Sequence, residues 1–76
     1  MPRFTKGQVV MLSLWDQGGQ PKNDFARACP SYYYAQRGVV VSWVDTGTTF
    51  VYQVHMDDSN VLQFSEDCLM PVKSDV

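Results

Sequence analysis

The chain has 76 residues and a formal net charge of −2, with 45% hydrophobic, 13% aromatic and 18% charged residues. That length holds one domain, read as 1–76 with a core over 6–72 and a flexible tail at 73–76, and the aromatic content lets it close a core without a metal or disulfide framework. The acidic balance opposes nucleic acid: Arg3, Lys6, Lys22, Arg27, Arg37 and Lys73 are scattered, with no basic run to track a phosphate backbone.

The first strand is expected over Gln8 to Leu14, after the Lys6-Gly7 turn entry. Val10, Leu12 and Leu14 then share one face at period two, with Val9 and Met11 on the other. Trp15 to Gln36 breaks the pattern with Gly18-Gly19, Pro21, Asn23-Asp24 and Pro30. It reads as a long first loop, too apolar to float free, folded back on the body with a helical turn around Asp24 to Cys29.

Arg37 to Asp45 is β-branched and reads as a central strand, with Val39, Val41 and Trp43 on one face and Gly38 permitting a bulge or sharp entry. Asp45 to Thr48 is a turn. Thr49 to Met56 alternates most cleanly: Phe50, Tyr52, Val54 and Met56 point one way, Val51, Gln53 and His55 the other. Asp57-Asp58-Ser59-Asn60 is a hairpin turn, Val61 to Phe64 a strand, Ser65-Glu66-Asp67 a 3-10 turn, and Leu69 to Val72 a short closing strand. The fold class is therefore all-β, five strands in a small barrel, since closure satisfies edges that a flat sheet of short strands would leave open.

Three stretches carry a family resemblance. They are Lys6-Gly7-Gln8-Val9-Val10, then Arg37-Gly38-Val39-Val40-Val41, then Tyr52 to Asp58 followed by Phe64 to Val72. In order and spacing these resemble the SH3-like barrel superfamily, in the broad sense that includes KOW-type and nitrile hydratase β-type barrels. Cys29 to Gly38, a proline–tyrosine approach to the glycine of the second strand, is similar to the nitrile hydratase variant. The chain departs from that family in lacking its large helical region and in the shorter connection to its third strand. The resemblance implies a protein-facing barrel or small accessory subunit, and it does not carry the metalloenzyme's activity across.

Catalytic and metal chemistry find little support. Zinc sites want four ligands in close pairs, whereas Cys29, Cys68 and His55 are isolated. His55, the sole histidine, falls on the less buried face of its strand, which suits a solvent-side residue better than a general base. Asp57-Asp58 and Glu66-Asp67 read as turn residues whose carboxylates cap local amides. The expectation is a non-enzyme with no cofactor and no metal.

The aromatic side chains are the best lead. Trp15, Phe25, Tyr32, Tyr33, Tyr34 and Trp43 lie in or beside the long loop and the strand after it, and Tyr and Trp dominate binding hot spots. They are the candidate partner-binding residues, although rings in so thin a barrel also serve as core or lid. Three consecutive tyrosines in extended backbone cannot all face one way, so at least one should be exposed. The function expected is a non-catalytic module that binds a protein partner through this surface. A nucleic-acid-binding KOW-type barrel and a non-catalytic subunit of a metalloenzyme related to nitrile hydratase β are the alternatives. No stretch reaches the roughly 18 apolar residues of a membrane span, and the first residues carry no apolar signal core. A cytoplasmic setting, free Cys29 and Cys68, and a homo-oligomer are the accompanying expectations.

Overall fold

The computed structural model describes residues 2–34 and 36–72. The expected tail at 73–76 lies outside the described residues. Five strands, β1 (Val9–Leu12), β2 (Arg37–Asp45), β3 (Phe50–Met56), β4 (Val61–Ser65) and β5 (Leu69–Pro71), form one antiparallel sheet in the order β4-β3-β2-β1-β5. The two edge strands, β4 and β5, follow one another through a single 3-10 turn, Glu66–Cys68. The sheet must therefore curl until its edges approach, and the extents of 32 × 29 × 25 Å are those of a barrel-like body rather than an open sheet. The all-β expectation holds. Among the described residues no helix is long and apolar enough to cross a membrane.

One apolar cluster fills the interior. Val10, Leu12 and Leu14 enter it from the first strand and its extension, and Tyr52, Val54 and Met56 from β3, as the alternation predicts. Phe4, Tyr33, Phe64 and Leu69 close it. Apolar burial of this kind is the main force holding so small a body together. Tyr52 also works as a polar tie. Its hydroxyl accepts the amides of Arg3 at 2.9 Å and Phe4 at 3.4 Å and donates to Glu66 Oε2 at 2.7 Å, pinning residues before β1 to the turn after β4. Burial first, and the Glu66 bond second, raise the Tyr52 pKa above its ordinary 10.0.

β2 corrects the sequence reading. Val39 and Val41 share an exposed face and Val40 is buried, so those two valines alternate as expected, but Trp43 does not join their face. The register then shifts between Val40 and Ser42, which leaves Val41 as the extra residue of a bulge and turns Trp43 inward opposite Tyr52. Three valines in a row hide the bulge, because no polar residue marks the outer face. Gly38 is not the bulge. It is a close approach, where a Cβ would overlap Val54 Cγ1 and stand 2.9 Å from Met56 Sδ.

The long loop is more structured than a bare loop. Trp15 and Pro21 form an isolated bridge closing a tight turn in which Gly19 has φ +78°. The helical turn falls at α1 (Asp24–Ala28), one residue shorter than expected. Tyr32 and Tyr33 occupy a 3-10 turn, Ser31–Tyr33, and Tyr34 caps it in helical backbone, so the extended backbone assumed for them is wrong.

Candidate aromatic surface

Each end of the loop is fixed by polar contacts. Asp16 Oδ1 accepts the amides of Gly18 at 2.9 Å and Gln20 at 3.0 Å, an Asx-type closure that shapes the turn after Trp15. Lys22 N donates to Leu14 O at 2.9 Å, and its ammonium donates to Ser13 Oγ and to Asp67 O, both at 2.9 Å. Asn23 caps α1 by accepting from Ala26 N at 3.1 Å, while its own amide donates to Ser65 Oγ at 2.6 Å. Cys68 Sγ contacts the same Asn23 Oδ1 at 3.3 Å. One side chain therefore ties α1 to the end of β4 and to the final 3-10 turn.

Tyr33 is the second anchor. Its ring is buried and its hydroxyl donates to Asp58 Oδ2 at 2.5 Å while accepting from Asn60 Nδ2 at 3.0 Å. Asn60 closes the triangle by donating to Asp58 Oδ2 at 3.0 Å. The bond from Tyr33 holds the Asp58 carboxyl below its ordinary 3.8, and the bond to Asp58 pushes the Tyr33 phenol up, with Tyr32 and burial adding to the rise. The β3–β4 turn is thus a clamp on the tyrosine segment. The acidic residues read as turn formers do form a turn, and Asp58 has this further task, which no local sequence signal announces.

The six candidate aromatics separate into four settings. Trp15 and Tyr34 pack edge to face, with centroids 5.3 Å apart and planes at 88°, and stay 44% and 37% exposed. Tyr32 is the most open at 64% and leans against Tyr33, centroids 4.3 Å apart, whereas Tyr33 itself is 1% exposed. Phe25 packs partly buried on the core from α1. Trp43 does the same from β2, with the Lys6 ammonium 5.9 Å from its ring centroid. Trp15, Tyr34 and Tyr32 therefore present ring surface around a buried Tyr33, and Phe25 and Trp43 sit elsewhere on the body.

The remaining chemistry-bearing groups stay dispersed. His55 is exposed on β3. Cys29 and Cys68 are free and buried, and burial, then the charge of Cys68, raises the Cys29 pKa above 9.0. Among the described residues no three His, Cys, Asp or Glu side chains gather as a metal site. Of these supports, Asn23 reads in the sequence only as a turn residue, and the signal that marks it is an Asn standing directly before a helical turn. The Asp58–Asn60 clamp on Tyr33 spans 25 or more positions and leaves no local trace. No family model matches the chain, and no curated protein or solved structure matches it.

Proposed function

We propose that this chain is a non-catalytic binding module with an SH3-like barrel, which contacts a protein partner through Trp15, Tyr34 and Tyr32. The observation that carries the reading is the edge-to-face Trp15–Tyr34 pair, exposed on a loop that polar contacts hold in place. Large apolar rings left in water have a free-energy reason to be covered, and rings held in one geometry lose little conformational entropy when a partner covers them. Tyr33 belongs to the support of this surface, since its ring is sealed and its hydroxyl is engaged by Asp58 and Asn60.

The test is affinity capture from extract of the source cells with the wild-type chain, Trp15→Ala and Tyr34→Ala, each checked by far-UV circular dichroism. The reading predicts that a captured protein is lost with either variant while the spectrum stays that of the wild type. Capture that survives both substitutions unchanged contradicts it.

A further inference from the structure

The sheet has a second feature along β4, the strand against which α1 packs. β4 is an edge strand paired only with β3. Met56 N donates to Asn60 O at 2.8 Å, which fixes the phase of the ladder. In an antiparallel pair, hydrogen-bonded and non-bonded positions alternate. Leu62 and Phe64, opposite Val54 and Tyr52, therefore turn their backbone groups toward β3. Val61 and Gln63 turn theirs outward, and among the described residues no backbone or side-chain group bonds them. Both residues are exposed.

Beside this edge runs a cleft of about 440 Å³, with Phe25, Ala28 and Pro30 on one wall and Val61, Leu62 and Gln63 on the other. Phe25 and Gln63 also border a neighbouring cleft of about 280 Å³ that reaches Val44 and Val51. Unpaired strand amides next to apolar clefts are what an incoming strand requires: the amides bond its backbone and the clefts take its alternate side chains.

Charge selects the occupant. β4 is bracketed by Asp57-Asp58 before it and Glu66-Asp67 after it. The only ion pair among the described residues joins Arg27 to Asp24, at 2.7 Å; the Lys22 ammonium sits at the Asp67 backbone oxygen, and among the described residues no cation pairs with the carboxylates of Asp57, Asp58, Glu66 or Asp67. A second copy adding antiparallel about Gln63 would set Glu66-Asp67 of each chain beside the Asp58–Asn60 turn of the other, acid against acid. A strand with basic ends meets the opposite field.

We propose that the β4 edge accepts an extended peptide segment of another protein, apolar at alternate positions and basic at its ends, as an added strand. This surface is separate from the Trp15–Tyr34 pair and does not depend on it.

The probe is a fluorescein-labelled ten-residue peptide of alternating valine and threonine with two lysines at each end, titrated by fluorescence anisotropy. Gln63→Pro removes an outward amide that β3 does not use, a place where an edge strand tolerates proline. It should weaken binding about tenfold or more. Asp57→Lys combined with Asp67→Lys should weaken it and flatten its salt dependence. A peptide with the same side chains, N-methylated at alternate amides, should fail to bind to the wild-type chain, and this arm stands even if Gln63→Pro does not fold. Trp15→Ala should bind the probe as the wild type does, which separates this proposal from the one above. Equal affinity for the methylated peptide, unchanged binding by a folded Gln63→Pro, or no binding of the probe to the wild type would overturn it. So would a dimer in sedimentation that Gln63→Pro abolishes.

Discussion

The β2–β3–β4 meander and the segment 13–36 ahead of it are held by different forces. The meander is a continuous backbone ladder, seven pairings from β2 to β3 and five from β3 to β4, over buried Tyr52, Val54, Met56 and Phe64. The segment 13–36 has a two-residue bridge, one short helix and a 3-10 turn; Leu14, Ala26, Cys29 and Tyr33 bury it in the shared core, and polar contacts of Asp16, Lys22, Asn23 and the Tyr33 hydroxyl set its place on that core. Ladder bonds are many and regular, whereas these anchors are few and borne by side chains. The lesson is that the exposed parts of the segment, held by polar side chains, are separable in energy from the body, while its buried residues belong to the common core. Damage to the ladder should unfold the chain, and damage to an anchor should loosen the surface on an intact body.

The largest effect should come from Gly38→Ala. The new methyl meets Val54 and Met56 at the start of β2, where neither can retreat without leaving the core, so urea unfolding should show a loss of about 3 kcal/mol, the upper end for overpacking. A near-neutral result would mean that the meander is looser than its packing implies. Tyr52→Phe comes next. It strands the buried Phe4 amide and removes a partner from the Arg3 amide and from Glu66, for about 2 kcal/mol of global stability.

Asn23→Ala strikes an anchor. Losing the helix cap should cost about 1 kcal/mol. The effect should appear as faster exchange of α1 amides and greater proteolysis within 13–36 rather than as a large shift of the global midpoint. A fall in the midpoint equal to that of Tyr52→Phe would merge the two regions into one.

The smallest effect is a pH dependence. The folded Asp58 carboxyl titrates below its ordinary 3.8, so its contribution is fully present above that value and is lost as pH falls through the lower, folded one. Between those two values the wild type should lose stability on acidification at a rate that Asp58→Asn does not share. Parallel acid melting curves for the two chains would contradict the clamp on Tyr33.

Where the backbone ladder dominates, the sequence was readable. Phe50 to Met56 alternates because one face of β3 is buried and the other is not, and the first strand does the same. Reading failed at Val41 to Trp43, where a bulge turns Trp43 off the face of Val39 and Val41. It failed again at Tyr32 to Tyr34, where a 3-10 turn buries the middle ring between two exposed ones. Both failures have one cause. The deciding partners, Gln53 and Tyr52 across the β2–β3 hairpin for the bulge, Asp58 and Asn60 on the β3–β4 turn for the tyrosine, act only after folding brings them close. The composition of the aromatic surface could be read from the chain, but which rings stay outside could not.

Residue-resolved hydrogen exchange on the wild type and Asn23→Ala tests the separation most directly. The amides of Gly18, Gln20 and Ala26 report on the anchored segment, and those of Tyr52, Val54 and Met56 on the ladder. The account predicts that the substitution collapses protection in the first group, most of all at Ala26, and leaves the second within experimental error. Equal loss of protection in both groups would show a single cooperative unit and contradict a body that carries its aromatic surface as a separately held part.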